Sequence, residues 1–291
     1  MLHYSGTVYR PPSEAHSLII QVTVGCSHNK CAFCNMYKDK KFSVTPREQV
    51  LEDLRWARAH YPHVERFFLA DGDALILPTD RLLEILRDIR TLFPECTRIS
   101  TYASPKSILG KTPEDLSALR DGGLDFAYLG LETGNEALLQ KINKGVTVAQ
   151  QIEAGQKLKA AGLTLSVTAI SGLAGSNGDW QSHAIDTAKA LSAIRPDFIA
   201  LLTLRIYTGT PMADWVANGE LVTPTPMELI RETKLLLEHI DCPGAVFRSN
   251  HASNYLVLAG NLNQDRDRLI AECEEALRGE APLRKFVELG R

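Results

Sequence analysis

Leu18-Ile19-Ile20-Gln21-Val22-Thr23-Val24-Gly25-Cys26-Ser27-His28-Asn29-Lys30-Cys31-Ala32-Phe33-Cys34 places an apolar, β-branched run directly before three cysteines within nine residues. The run 18–24 reads as a strand, and the polar, glycine-led stretch after it reads as a loop. The trio therefore lies at the C-terminal end of a strand, the edge where α/β sheets and barrels assemble their sites. Soft thiolates suit zinc, copper(I) or iron–sulfur clusters. Three of them on a four-iron cluster leave one iron open for chemistry. A structural zinc site has four closed ligands, and His28 is available as the fourth of a Cys3His set. Cys96, Cys242 and Cys273 are scattered singly and form no second pair. A disulfide framework fits poorly with an odd trio in a long chain without the pattern of a secretory leader. The iron–sulfur and zinc readings both stand on spacing alone.

Downstream, strands and helices alternate. Helix spacing covers 46–60, with Thr45 as the expected cap and Pro46 at the first position. Strand 66–70 ends at Asp71-Gly72-Asp73, and Asp80 opens a helix with Leu82, Leu83, Leu86 and Ile89 on one face. Strand 98–102 precedes a helix that starts at Thr112 and stops at Gly122-Gly123. Strand 126–131 leads into Glu132-Thr133-Gly134, then helical stretches 135–142 and 147–161. Strand 163–170, the loop Ser171-Gly172-Leu173-Ala174-Gly175, helix 179–194 and strand 197–204 complete six strand–helix units. Alternation without hairpin dipeptides predicts a parallel sheet. Six units fall short of the eight that close a barrel, so the expected fold is α/β, an open, partial (βα)6 TIM-like barrel over 17–212. Residues 1–16 read as an N-terminal extension. Residues 213–291, with helices at 224–240 and 264–278 and an irregular 245–260, read as an α-rich appendage that covers the barrel mouth.

The 291 residues, 44% apolar and 23% charged, describe an ordinary globular chain. A formal charge of −3 and a pI near 6.3 argue against broad electrostatic capture of nucleic acid. No apolar run is long enough to span a membrane, and Met1-Leu2-His3-Tyr4-Ser5 lacks the order of a signal peptide. The expected compartment is the cytoplasm.

The polar groups at the strand ends, Cys26 to Cys34, Asp71 to Asp73, Glu132, Ser171 with Gly172, and Arg205, follow one another as a barrel collects its ligands. In that order the chain resembles the radical S-adenosylmethionine (SAM) enzymes, closest to the branch of methylthiotransferases, elongator-type acetyltransferases and oxygen-independent coproporphyrinogen oxidase. The resemblance spans about 190 residues, from Ser17 to Met212. It implies Cys26, Cys31 and Cys34 as ligands of a [4Fe–4S] cluster, with Phe33 as the aromatic before the last cysteine. Four residues separate the first two cysteines here, where the family usually has three.

By the same resemblance, Asp71-Gly72-Asp73 occupies the place of a turn that contacts the methionine amino group of SAM. Gly130-Leu131-Glu132-Thr133-Gly134-Asn135 is similar to a Gly-x-Glu-x-Gly stretch whose acid binds the ribose hydroxyls, and Lys144-Gly145 to a following Lys-Gly pair. Ser171-Gly172-Leu173-Ala174-Gly175 matches the loop along adenine, and Gly209-Thr210-Pro211-Met212 the segment after the sixth strand. The implied chemistry is one-electron cleavage of SAM to a 5′-deoxyadenosyl radical that abstracts hydrogen from a substrate. The protein supplies placement and exclusion of solvent. A carboxylate suits two ribose hydroxyls, and Arg205 or Lys144 suits the methionine carboxylate. The resemblance also implies a small-molecule substrate and an electron donor such as flavodoxin or ferredoxin.

The appendage segment 247–255 is dense in polar groups. Arg248, Asn250, His251 and Asn254 read there as substrate contacts, or as a loop satisfying its own backbone. Competing functions are a tRNA-modifying or porphyrin-type enzyme, for which a second cysteine set or an extra nearby cysteine is missing, and a non-enzymatic zinc or iron–sulfur binding module.

Overall fold

A computed structural model describes residues 1–284. Ten strands form, in chain order: β1 (Leu18–Gln21), β2 (Thr23–Val24), β3 (Ser43–Val44), β4 (Arg66–Ala70), β5 (Arg98–Ala103), β6 (Phe126–Glu132), β7 (Thr164–Ser171), β8 (Phe198–Thr203), β9 (Val246–Ser249) and β10 (Leu258–Asn261). The helices are α1 (Arg47–His60), α2 (Thr79–Leu92), α3 (Pro105–Leu109), α4 (Pro113–Asp121), α5 (Glu136–Lys141), α6 (Val148–Ala160), α7 (Trp180–Ile194), α8 (Pro211–Ala217), α9 (Pro226–His239) and α10 (Arg266–Leu277). Eight strands share one mostly parallel sheet in the order β1-β4-β5-β6-β7-β8-β9-β10, while β2 and β3 make a two-stranded ribbon. The fold is α/β. Among the described residues no helix is long and apolar enough to cross a membrane.

The chain divides into two compact units. The first comprises Met1–Asn29, Met36–Leu129 and Ala154–Leu165. Its strands pair in parallel, Leu18 with Phe67, Arg66 with Arg98 and Ser100 with Phe126. Alternation along β4 sends Phe67 and Phe68 to opposite faces. Phe67 meets Phe93 at the end of α2, ring centroids 4.8 Å apart, and α2 buries Leu82, Ile85, Leu86 and Ile89. Phe68 meets Tyr102 and Tyr128, with centroids at 5.0 and 6.2 Å.

The second unit comprises Lys30–Asn35, Gly130–Glu153 and Ser166–Arg291. There β7, β8 and β9 run parallel, and β10 returns antiparallel at the edge. Helices α7, α9 and α10 pack in sequence. A separate apolar cluster gathers Ala32, Leu139, Ile142, Ile170, Leu173, Met212 and Leu221.

Several local expectations are corrected. The run 18–24 is not one strand: the Val22 N–H donates to Ala70 O and its carbonyl accepts from Thr45, so Thr23–Val24 pair with β3 instead. Thr45 does not cap α1, where Pro46 holds the cap position without a side-chain bond. The stretch 245–260 is irregular only between its two strands, over 250–257. Val246 donates to Asp197 O, Phe247 is fully buried, and β9 extends the parallel ladder beside β8. The Gly209-Thr210-Pro211 turn opens α8, which Thr210 caps through the Ala213 N–H.

Candidate functional site

In the first unit, the turn after β4 grips the start of the cysteine loop. Asp71 is wholly buried. Its Oδ2 accepts from Gln21 Nε2 (2.7 Å), the Gly25 N–H (2.9 Å) and Lys40 Nζ (2.8 Å). Lys40 is buried too and donates also to Thr7 O. A buried ion pair of this kind holds only when further hydrogen bonds satisfy it, and here they come from the strand and the loop. The Asp71 N–H donates to Thr23 O, and the Gly72 N–H to Gly25 O, both at 3.1 Å. A Cβ on Gly72 would stand 2.6 Å from the Tyr37 ring and 3.1 Å from Cys26 Cβ. Only glycine lets this turn lie against Cys26.

Asp73, also wholly buried, accepts from Ser27 Oγ (2.5 Å), the Ser104 N–H (3.1 Å) and hydroxyl (2.9 Å), and Ser107 Oγ (2.6 Å). Asp73 and the Oδ2 of Asp71 are thus filled by protein donors, while Asp71 Oδ1 is buried without a hydrogen-bond partner.

In the second unit, Ala32 anchors the other end of the loop. Its N–H donates to Ile142 O (2.8 Å) and its carbonyl accepts from the Met212 N–H (3.1 Å). Ala32 is buried, and Phe33 packs against the same apolar cluster. The Cys34 N–H turns back to Cys31 O at 3.3 Å. Cys26, Cys31 and Cys34 are half-buried, whereas Cys96, Cys242 and Cys273 are buried. Burial pushes the Cys242 thiol up to about 11 and Cys273 to about 12, and raises Cys96 as well. Such thiols are poor metal ligands at neutral pH, because the thiolate is the ligand. Among the described residues no three His, Cys, Asp or Glu side chains are gathered as a metal cage. The donor chemistry of the loop nevertheless suits a thiolate-bound cluster: three accessible thiols, anchored backbone on either side, and glycine against Cys26.

The turn after β6 is built differently. Glu132 adopts φ +62° and lies back over Gly130, where a Cβ would fall 2.1 Å from its Oε1. Lys144 Nζ donates to that oxygen at 2.6 Å. Gly134 is equally required, since a Cβ there would meet Asp186 O at 2.2 Å. Asn135 caps α5 by accepting from the Leu138 N–H.

Ser171 is buried at the end of β7, and Gly172 follows at φ +89° with its N–H donated to Glu232 Oε1 (2.9 Å). Arg205 follows β8 and lies close enough to His251 to lower that imidazole's pKa, burial being the larger cause. His251 Nδ1 is 2.8 Å from Ser253 Oγ. Arg248 is exposed on β9 and donates to Phe247 O, and exposed Asn250 offers its carbonyl to Arg284. Asn254 is buried: its Oδ1 accepts from Thr203 Oγ1 and its Nδ2 donates to Leu201 O and Ser249 Oγ. Its amide is committed to the scaffold.

Sequence reasoning missed Lys40, which lies in a charged run that reads as solvated, and the Ser104–Ser107 pair. It also missed His183 and Glu232, both in the middle of helices.

A family model for the radical SAM superfamily matches residues 20–187, more than half of the chain. The chain belongs to the radical SAM superfamily. Enzymes of this superfamily use a [4Fe–4S] cluster and SAM. An uncharacterized methyltransferase of Pyrococcus horikoshii is 27% identical over 208 residues, covering 70% of this chain and 43% of that one. The radical SAM methyltransferase TsrM of Kitasatospora setae, solved with cobalamin and a [4Fe–4S] cluster, superposes with TM-score 0.55 at 18% identity, over 70% of this chain and 39% of its own. Coproporphyrinogen III oxidase (HemN) of Escherichia coli gives TM-score 0.55 at 17% identity, over 76% and 52%. These likenesses are of fold, the partial barrel of the superfamily. The radical SAM chain described here spans less than half the length of the first two.

Proposed function

We propose that this radical SAM enzyme holds its cluster through Cys26, Cys31 and Cys34 and acts on a small molecule. The observation that carries the assignment is the segregation of thiols: three half-buried on one anchored loop, three buried and held protonated. When bound and reduced, the cluster supplies the electron that cleaves the sulfonium of SAM. The protein's own part is binding and orientation. Glu132, held at 2.6 Å by Lys144 Nζ, accepts from the ribose hydroxyls. Backbone at Gly72 meets the methionine amino group, while Asp71 and Asp73 act behind it as the clamp of the loop. Ser171 and Gly172 lie along adenine, Phe33 shields the last cysteine, and Arg205 takes the methionine carboxylate.

Catalysis is assigned to 17–212, with 1–16 as an extension and 213–291 supplying the substrate side. Arg248, Asn250 and His251 are the substrate contacts, and Asn254 holds their loop. The electron donor is a flavodoxin or ferredoxin, and the compartment is the cytoplasm. The methyltransferase names of its relatives make methyl transfer the second reading. Anaerobic reconstitution tests the first: about four irons per chain, lost on replacing Cys26, Cys31 or Cys34 but not Cys273, with 5′-deoxyadenosine released on reduction. Release of S-adenosylhomocysteine marks the second.

A further inference from the structure

The mechanism leaves one buried titratable pair unused. His183 on α7 and Glu232 on α9 are 2% and 4% exposed, in helix faces that are apolar but for Thr187 and Thr233. A carboxyl in such a place is costly unless its oxygens are answered. Glu232 Oε1 accepts the Gly172 N–H at 2.9 Å and lies 3.4 Å from His183 Nε2. That nitrogen is also 3.1 Å from Ile170 O. A carbonyl only accepts, so Nε2 carries the proton. His183 Nδ1 lies 2.8 Å from the Thr133 hydroxyl. Thr133 Oγ1 in turn accepts the Asn135 N–H, and Thr187, one turn along α7, accepts the Gly134 N–H.

The pair therefore bonds two separate strand ends. Toward β6 it reaches Thr133, next to Glu132. Toward β7 it reaches Ile170 and Gly172, on either side of Ser171. We propose that Glu232 and His183 are positioning residues for the adenosine half of SAM, a buried brace that fixes the Glu132 turn and the Ser171–Gly172 loop at one separation. This rests on the assignment of those two segments to ribose and adenine. Neither side chain needs to touch the cofactor. The Glu132 carboxylate and the adenine loop must be in place together for one nucleoside to meet both, and preorganisation of that kind sets affinity. The raised pKa of Glu232, caused first by burial and opposed by His183 and the Gly172 N–H, agrees with a group held in the core for its bonds.

The test uses the reconstituted enzyme. Glu232→Ala is expected to raise the SAM Kd about tenfold with iron content unchanged. Glu232→Gln still accepts from Gly172 and should stay within about threefold of wild type. Thr133→Val cuts the brace at its far end and should weaken SAM binding in the same direction, so the proposal stays testable if Glu232→Ala does not fold. Leu269→Ala, a core truncation on α10, should lower the melting temperature and leave the Kd alone. Methionine alone, read from its effect on the spectrum of the reduced cluster, should bind all variants as wild type. An unchanged Kd in both Glu232→Ala and Thr133→Val, or an equal rise in Leu269→Ala, overturns the brace. An unchanged Kd in Glu132→Ala would instead overturn the ribose assignment.

Discussion

Two acidic turns follow strands of the same sheet, and they use their carboxylates in opposite ways. After β4, Asp71 and Asp73 are wholly buried and accept from Gln21, Gly25, Lys40, Ser27, Ser104 and Ser107. After β6, Glu132 answers a single ammonium, Lys144, at 2.6 Å. An acid at a strand end is thus not a ligand by position. What decides is how far its acceptor capacity is already filled, and the first turn spends its charge on the shape of the cysteine loop.

The largest test of this contrast is Asp71→Ala. It leaves Lys40 buried without its partner, and breaking such a pair costs about 3–5 kcal/mol. Denaturant unfolding of the cluster-free protein should show that loss, and iron uptake should fall with it. Lys40→Met combined with Asp71→Leu should recover much of the stability, because no orphaned charge remains. Glu132→Ala should do the reverse: a stability loss of about 1–2 kcal/mol, full iron content, and a SAM Kd raised by about tenfold or more in equilibrium titration. If Asp71→Ala unfolds no more easily than Glu132→Ala, the contrast is wrong. The smallest effects separate two asparagines on the same terms. Asn254→Ala removes four scaffold bonds and should cost about 1–3 kcal/mol, while exposed Asn250→Ala should stay within about 0.5 kcal/mol and alter substrate turnover alone.

The sequence made the alternating core of the fold legible because each unit carries its own local signal. Thr112 with Asp115 forms the capping box of α4, and Leu82, Leu86 and Ile89 of the expected α2 stripe are buried, with Ile85 in place of the half-buried Leu83. The stretch Gly130 to Asn135 was legible through its resemblance to a family motif; its close approaches are to Glu132 and Lys144 at Gly130 and to Asp186 on α7 at Gly134, while Asn135 caps α5. The strand β9 was not legible. Val246 to Ser249 is four residues long and includes exposed Arg248, so it exists only because β8 offers an open edge. The clamp and the brace were hidden more deeply. Gln21, Lys40 and Asp71 are spread over fifty positions, and His183 and Glu232 over forty-nine. Partnerships of that span leave no period and no motif, since only the tertiary fold brings the groups together.

The placing of sulfur has a further consequence, for wear rather than catalysis. Cys96, Cys242 and Cys273 are enclosed and protonated, out of reach of oxidants and alkylating reagents alike. Cys26, Cys31 and Cys34 stand half-open on one loop. On the ligation proposed above, damage from air would concentrate on nine residues and leave the enclosed thiols untouched. Repair would then begin with reducing three sulfurs on one loop.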